Sequence, residues 1–280
     1  MKHLRERNDE EGVQDSKVIQ AVQRMAEIAD KRDRVLLNNE EERKVFEEVF
    51  DRKTLFVLYS LMNKGAFSYL NGVVSSGKES RVYWGVKNSG ENVAVKVYLV
   101  ASSDFKRRLR YVEGDPRFKK IRRDSRGMAE TWARKEFTNL KQAYDAGVRV
   151  PKPESFEGNV LVMEFIGDSN GLRAPLLLET EVKKKDYLEI MKSVKTLYSK
   201  ADLVHADLSE YNVFKYQGKN ILFDFGSAVS VNHPSSEEFL KRDIQNINNF
   251  FQKRSVRVFE EQKILSHIIK NKGSGSSEAV

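Results

Sequence analysis

The sequence predicts an α+β fold of two lobes, a β-rich N-terminal lobe and a mainly helical C-terminal lobe. Between residues 67 and 99, short apolar segments are separated by turn residues, a pattern typical of antiparallel strands. Beyond Gly171, apolar residues instead recur every three or four positions, as on the buried face of a helix. The glycines of 167–171 separate the two patterns and mark the expected boundary between the lobes.

The composition indicates a globular protein. The chain has 280 residues, of which 40% are hydrophobic, and this is enough to build a core. No segment approaches the roughly 18 apolar residues of a membrane-spanning helix, and the first residues lack the apolar segment of a signal peptide. We therefore expect a cytoplasmic protein with no membrane partner. The chain has no cysteine, so we expect any metal to be held by carboxylates.

The N-terminal part divides into a helical extension, 1–48, and a lobe, 49–166. Leu58, Leu61 and Met62 predict a helix that ends near Gly65. The strands expected in this lobe are 72–74, 81–86, 92–98, 154–156 and 160–165. One helix interrupts them, with an apolar face that consists of Ala133, Phe137, Leu140 and Tyr144.

The C-terminal lobe is expected over 167–270. Its elements are a helix with Leu188, Met191, Val194 and Tyr198 on its buried face, a hairpin over 213–223 that turns at Gln217-Gly218, and a helix that buries Leu240, Ile244, Ile247 and Phe251. Ser235 to Glu238 predicts a capping box at the start of that last helix. The tail, 271–280, is rich in Gly and Ser and is expected to be disordered.

Positive charge is concentrated in one segment. The formal net charge is +8, and the run from Phe105 to Arg126 contains ten basic residues, which are Lys106, Arg107, Arg108, Arg110, Arg117, Lys119, Lys120, Arg122, Arg123 and Arg126. Such a run can follow an RNA backbone. It can equally be a solvated, mobile loop. Both interpretations stay open.

Three polar residues lie where the predicted hairpin brings its ends together. Asn212 precedes the first strand and Asp224 follows the second, so their oxygens can converge on one hard cation, for which Mg²⁺ is the expected ion. Asp207 would then face a transferring phosphoryl group, where a carboxylate accepts a hydroxyl proton. The alternative is a turn in which these side chains only cap backbone N–H groups.

Lys96 stands in an otherwise apolar strand, so its ammonium needs an anion nearby. Glu136 lies on the apolar edge of the predicted helix and can supply that anion. A strand lysine that pairs with a helix glutamate and reaches nucleotide phosphates is the arrangement of protein kinases. Alternatively, Lys96 extends to solvent along the apolar surface and Glu136 is merely exposed.

Two further segments can bind a nucleotide. The loop 75–80 has the small residues, hydroxyls and lysine of a phosphate-binding loop, but Glu79 stands at the Ser/Thr position of a P-loop and a hairpin follows where that motif needs a helix. Met163 to Gly167 ends the last strand of the first lobe. Its unpaired backbone can meet an adenine edge, or it can be an ordinary linker.

Together these residues resemble the RIO family of atypical serine/threonine protein kinases. The resemblance spans about residues 50–265 and rests on Ser75-Ser76-Gly77-Lys78-Glu79-Ser80, Val95-Lys96-Val97, Lys135-Glu136-Phe137, Met163-Glu164-Phe165-Ile166-Gly167, His205-Ala206-Asp207-Leu208-Ser209-Glu210-Tyr211-Asn212 and Arg242-Asp243-Ile244. It implies a reduced protein-kinase-like fold with ATP between the lobes, and a role in maturation of the small ribosomal subunit. The short helices predicted at the N-terminus favour the branch that lacks a winged helix.

The resemblance also implies a role for each matching residue. Asp207 would be the catalytic aspartate, Asn212 and Asp224 the metal ligands, and Lys96 with Glu136 the phosphate-positioning pair. The remaining ATP-binding residues would be Ser76, Gly77, Lys78 and Ser80 at the phosphates and Met163, Glu164 and Ile166 at the adenine. The expected cofactors are ATP and Mg²⁺, with Mn²⁺ as an alternative metal.

Further expectations from the family concern the acceptor and the insert. Residues 101–127 would form its flexible insert, with Ser102, Ser103 and Ser125 as candidate autophosphorylation sites. Acceptors would be protein serine or threonine, or the chain itself, and pre-ribosomal RNA would meet the basic insert. Members also hydrolyse ATP, and Asp224 would take the phosphate transiently.

Two other functions fit parts of the pattern. A small-molecule phosphotransferase of the aminoglycoside or choline kinase kind shares the H-x-D-x-x-x-x-N loop, but lacks the Lys78-Glu79-Ser80 segment. A pre-ribosomal RNA-binding assembly factor would use ATP occupancy as a switch. The intact set of Lys96, Asp207, Asn212 and Asp224 argues against a scaffold without chemistry, though not against a slow ATPase.

Overall fold

A five-stranded antiparallel sheet forms the N-terminal lobe of the protein, whose computed structural model describes residues 50–100, 109–118 and 122–273. Its strands are β1 (Tyr69–Ser76), β2 (Ser80–Val86), β3 (Asn92–Tyr98), β4 (Pro153–Glu157) and β5 (Val160–Glu164). Their order is β1-β2-β3-β5-β4, and every neighbouring pair is antiparallel. The predicted antiparallel strands are therefore confirmed, with β3 at the centre of the sheet.

Each face of the sheet is covered by one helix. Helix α1 (Arg52–Asn63) begins at Asp51, whose side chain accepts a hydrogen bond from Thr54 N. It packs through Leu58 and Leu61 on Val93, Val95 and Val97 of β3. Because successive side chains of a strand point to opposite faces, the alternate residues Ala94, Lys96 and Tyr98 face the other helix, α2 (Ser125–Asp145).

The buried face of α2 differs from the predicted one. Ala133 and Leu140 are buried as expected, but Phe137 is only half-buried and Tyr144 is 43% exposed. The residues that α2 buries include polar ones such as Lys135, Glu136 and Asn139. The spacing of apolar residues cannot predict this face. Helix α2 lies between the sheet and the C-terminal lobe, and it binds the C-terminal lobe with polar side chains.

Part of the predicted flexible insert is folded against the C-terminal lobe. Residues 109–111 and 116–118 form 3₁₀ turns, and Tyr111, Val112 and Phe118 are buried in the larger core. Helix α2 also starts inside the expected insert, at Ser125. Residues 101–108 and 119–121 of that insert, with Ser102 and Ser103, lie outside the described residues, and so does the predicted extension 1–48.

The C-terminal lobe combines three helices with short strands. Its elements are α3 (Lys184–Ser199), β6 (Leu203–Val204), β7 (Val213–Tyr216), β8 (Lys219–Leu222), β9 (Val229–Ser230), α4 (Ser236–Lys253) and α5 (Glu261–Gly273). Strands β7 and β8 form the predicted hairpin. Its turn residues Gln217 and Gly218 both have positive φ, 50° and 71°, as a two-residue hairpin turn requires.

Three details of this lobe correct the sequence analysis. Leu188 is 44% exposed, since α3 buries Tyr187, Ile190 and Leu197 beside the expected residues. Ser235 makes no capping bond; Ser236 Oγ instead donates to Val231 O at 2.8 Å. Helix α5 runs to Gly273, three residues into the predicted tail, and 274–280 lie outside the described residues. No helix in the described part of the chain is long and apolar enough to cross a membrane.

Candidate active site

A cavity of about 350 Å³ lies between the sheet and the C-terminal lobe. Nine residues singled out from the sequence line it, which are Gly77, Ser80, Lys96, Glu136, Met163, Glu164, Ile166, Asn212 and Asp224. Three others do not. Ser76 and Lys78 are exposed on the loop beside the cavity, and Asp207 is partly buried next to it. Nine of the twelve predicted site residues thus meet at one cavity.

Apolar walls of this cavity were missed from the sequence. Val82, Ala94, Leu176 and Phe214 line it alongside the polar residues. Two of them carried a usable signal, because Ala94 lies two positions before Lys96 on the same strand face and Val82 is the residue paired with Lys96 across the sheet. Leu176 and Phe214 approach from the other lobe, which strand alternation cannot reveal.

Lys96 is the centre of a buried charge cluster. Its Nζ lies 2.9 Å from Glu136 Oε1 and 2.9 Å from Asp224 Oδ1, so the predicted pair with Glu136 is present. The hydroxyl of Tyr98 donates to the other Glu136 oxygen. Burial by itself lowers the pKa of Lys96, but the Asp224 and Glu136 carboxylates outweigh it and raise that pKa. Burial also raises the pKa of Glu136, against the opposing effect of Lys96.

The ends of the β7–β8 hairpin meet, as predicted. Phe223 N donates to Asn212 O at 3.0 Å, which places Asn212 beside the residue that precedes Asp224. The Asn212 amide nitrogen donates to Asp207 O at 2.7 Å, so its Oδ1 remains as a ligand atom. Asp224 has left-handed backbone, φ 63° and ψ 64°, and both residues line the cavity.

The donor set fits Mg²⁺. One carboxylate and one amide oxygen suit a hard cation that takes its other ligands from phosphates and water. The described residues hold no group of three or more His, Cys, Asp or Glu side chains that could bind a metal. A cation held by Asn212 and Asp224 would take its remaining ligands from nucleotide phosphates and water.

The loop that carries Asp207 is held from inside the C-terminal lobe. The buried Asp243 carboxylate, on α4, accepts hydrogen bonds from Ala206 N at 2.8 Å and Leu208 N at 2.9 Å. These two peptides flank Asp207, and Ala206 has a positive φ of 64°. Burial raises the pKa of Asp243 to about 7, against the two N–H donors. The sequence analysis noted Asp243 only within a motif; its signal was an acid beside Ile244 on a buried helix face.

His205 contributes an uncharged contact to the same region. Its Nε2 lies 3.0 Å from the carbonyl oxygen of Phe223, and its ring packs on Phe225 with centroids 4.8 Å apart. Burial lowers the pKa of His205, which favours the neutral ring with Nε2 as the donor. His205 thus connects the Asp207 loop to Phe223, the residue between β8 and Asp224.

The loop 75–80 leaves space beside Gly77, and the connector after β5 has a backbone N–H available to a ligand. Gly77 N donates to Ser80 O at 2.9 Å, and a Cβ added to Gly77 would meet nothing closer than that oxygen at 3.5 Å. The protein itself therefore does not require glycine there. In the connector, Ile166 O accepts from Ala174 N at 2.8 Å, while the N–H of Ile166 has no acceptor among the described residues.

Three described arginines of the basic insert contact acidic residues of the chain. Arg117 contacts Asp115 at 2.7 Å, and Arg122 contacts Asp124 at 3.2 Å. Arg126 pairs with Asp51. These contacts involve three of the ten basic residues of the run and do not test RNA binding.

A β-rich lobe and a helical lobe that enclose this lysine, glutamate, asparagine and aspartate define a phosphotransferase of the protein-kinase class. The family model described as RIO domain matches residues 81–264. RIO-type serine/threonine-protein kinase Rio1 of Haloferax volcanii is 41% identical over 222 residues, which cover 79% of this chain and 76% of that protein. The chain belongs to the RIO family of serine/threonine protein kinases.

Other relatives extend across archaea and eukaryotes. Rio1 of Methanocaldococcus jannaschii is 39% identical over 77% of this chain and 74% of its own length. The human serine/threonine-protein kinase RIO1 is 34% identical over 83% of this chain, and the match covers 42% of that protein. The chain thus spans about three quarters of these archaeal relatives and less than half of the human one.

Solved structures show the same fold. A crystal structure of the Rio2 kinase from Chaetomium thermophilum, a complex with ADP/Mg²⁺ and phosphoaspartate, aligns with a TM-score of 0.59 at 18% identity. The alignment covers 93% of this chain and 91% of that one. A second Rio2 structure from the same organism gives a TM-score of 0.57 at 17% identity. The two-lobed kinase-like fold predicted from the sequence is confirmed.

The buried charge cluster predicts that substitutions of Lys96 and of Glu136 lower the free energy of unfolding by different amounts. Replacing Lys96 by Met should lower the free energy of unfolding by about 3–5 kcal/mol, because it leaves the buried Glu136 without its cation. Glu136→Gln should cost less, since Lys96 keeps Asp224. The double variant should be more stable than Lys96→Met alone. Urea unfolding measures all three, with Lys141→Met as an exposed control; a Lys96→Met variant as stable as the wild type would contradict this view.

Asp243 predicts a pH dependence. Burial raises its pKa to about 7 in the folded chain, above the ordinary value of 3.8, so between these values the folded protein binds the extra proton. The residue therefore adds stability at low pH and loses this contribution as pH rises through about 7. The excess stability of the wild type over Asp243→Asn should be larger at about pH 5.5 than at about pH 8.5. Denaturant unfolding tests this, and an excess that does not change with pH contradicts it.

Proposed function

We propose that this RIO-family kinase transfers the γ-phosphoryl group of ATP, with Mg²⁺, through the residues around the described cavity. The observation that carries the proposal is the contact of Lys96 with both Glu136 and Asp224 at a cavity that Asn212 also lines. A lysine so held can contact nucleotide phosphates without becoming an uncompensated buried charge.

Each side of the cavity has a part in this proposal. Asp207 orients the acceptor hydroxyl and takes its proton, while Asp243 and the Asn212 amide hold its backbone. Asn212 Oδ1 and the Asp224 carboxylate bind Mg²⁺, which offsets phosphate charge when bound. The phosphate loop is formed by Ser76, Gly77, Lys78 and Ser80. The adenine is bound between apolar walls by the backbone of Met163, Glu164 and Ile166.

The acceptor is proposed to be a protein serine or threonine, including the chain's own, with water as a second acceptor. Ser125, the first residue of α2, is an exposed candidate among the described residues. Asp224 is proposed as a transient acceptor, because its carboxylate lies at the cavity. The family resemblance supports a place in small-subunit maturation, and the charge of the basic insert supports contact with pre-ribosomal RNA.

Labelled ATP tests the proposal. The wild type with Mg²⁺ should acquire label, and Asp207→Asn should abolish it, because the amide cannot accept the hydroxyl proton. Acid-stable label indicates phosphoserine or phosphothreonine, whereas label released by hydroxylamine indicates an acyl phosphate that Asp224→Asn should remove.

The control for this assay is Asp145→Asn, an equally conservative change on the exposed end of α2, which should label normally. Wild-type protein that takes no label and releases no phosphate would refute the enzyme and favour an ATP-occupied assembly factor. Label that appears only on an added aminoglycoside or choline would favour the small-molecule phosphotransferase.

A substitution at Gly77 tests the phosphate loop. Gly77→Ala should leave the unfolding midpoint unchanged, because the nearest atom to the new Cβ is 3.5 Å away. The KM for ATP should nevertheless rise severalfold if phosphates approach this backbone closely, as glycine permits. Steady-state kinetics and thermal unfolding separate the two effects. An unchanged KM would place the nucleotide away from this loop.

A further inference from the structure

Helix α2 binds the backbone that follows Asp224. Lys135 Nζ donates to Gly226 O at 3.0 Å and to Ala228 O. Asn139, one helical turn later, donates through Nδ2 to Phe225 O at 3.0 Å and Ala228 O at 2.8 Å. Two side chains on one helix face thus supply four hydrogen bonds to the turn 225–228.

This arrangement places costly groups in the protein interior. Lys135 is 0% exposed, and its ammonium lies 5.6 Å from the Trp132 ring centroid and 5.9 Å from that of Phe118. Asn139 is also 0% exposed, and its Oδ1 has no hydrogen-bond partner among the described residues. A buried cation and a half-satisfied amide both oppose folding. Proteins tolerate such local costs chiefly where a site needs them.

The backbone conformation of Asp224 explains why buried polar groups are needed here. Its φ of 63° and ψ of 64° lie in the left-handed region, which is unfavourable for a residue with a side chain. The hydrogen bonds to the carbonyl oxygens of Phe225, Gly226 and Ala228 hold this conformation from the C-terminal side. On the same helix, Glu136 holds Lys96, which contacts the Asp224 carboxylate. Helix α2 therefore contacts the Asp224 carboxylate through Lys96 and holds the backbone after Asp224 directly.

We propose that Lys135 and Asn139 are positioning residues that hold the backbone turn after Asp224 so that its carboxylate points into the cavity and binds the divalent cation. The inference rests on the proposed role of Asp224 as a metal ligand. The simpler alternative is a structural contact between the lobes, which would affect stability but not metal affinity at constant nucleotide affinity.

The variants are Lys135→Met and Asn139→Leu, which keep side-chain volume and remove the donors. Lys141→Met is the matched control, because Lys141 lies on α2 but is exposed and pairs with Asp145 on the protein surface. Lys135→Gln keeps an N–H donor without the charge. Three quantities are measured: Mn²⁺ affinity in the presence of ADP by electron paramagnetic resonance, ADP affinity in EDTA, and amide hydrogen exchange of 224–228 in metal-free protein.

We expect Mn²⁺ affinity to fall about tenfold in Lys135→Met and Asn139→Leu, with ADP affinity in EDTA within about twofold of the wild type. Exchange at 224–228 should accelerate about tenfold before any metal is added, since the turn loses its bonds. Lys135→Gln should recover part of each loss, and Lys141→Met should match the wild type.

Unchanged Mn²⁺ affinity in folded Lys135→Met and Asn139→Leu would overturn the inference while leaving the proposed metal site intact. A parallel loss of Mn²⁺ and ADP affinity would also overturn it, in favour of a structural role. By contrast, a wild type that binds Mn²⁺ no better than Asp224→Asn would refute the proposed function itself. These outcomes are distinct, so the two claims can fail separately.

Discussion

The structure depends on one constraint, the need to compensate the buried charge of Lys96 at the centre of the sheet. Strand alternation directs this lysine toward α2 and away from α1. Its two carboxylate partners come from different parts of the chain, Glu136 from α2 and Asp224 from the end of the hairpin. Removing either partner leaves the Lys96 charge less well compensated. The ion cluster therefore holds the sheet, α2 and the C-terminal lobe together.

Asp224 in the cavity and Asp207 beside it are supported in the same physical way. Each lies at or beside a left-handed residue, Asp224 itself with φ 63° and Ala206 before Asp207 with φ 64°. A helix holds each kink through buried polar side chains, α4 with Asp243 and α2 with Lys135 and Asn139. Strained backbone persists only where the surrounding structure holds it firmly. Here hydrogen bonds from buried polar side chains hold it.

Local features of the fold were predictable, and contacts between distant segments were not. The strands, the hairpin turn at Gln217-Gly218 and the partnership of Lys96 with Glu136 follow from alternation, turn chemistry and the cost of a buried charge. Tyr144 and Leu188 are exposed rather than buried as predicted, because apolar spacing does not show which neighbours a helix meets. Asp243 likewise had no predicted role, since the loop it holds lies more than thirty residues earlier in the chain.

The position of α2 links the folded part of the basic insert to the site. Phe118, from that insert, packs near the Lys135 ammonium. Burial raises the pKa of the Asp115 carboxylate, but Arg117 and, more weakly, Lys135 lower it below its ordinary value. A displacement of 115–118 would therefore change the surroundings of Lys135, which binds the turn after Asp224. Because Glu136 is the next residue of α2, the same helix cannot shift there without also disturbing Lys96. The segment before α2 and the Asp224 carboxylate are thus connected through two adjacent side chains, Lys135 and Glu136.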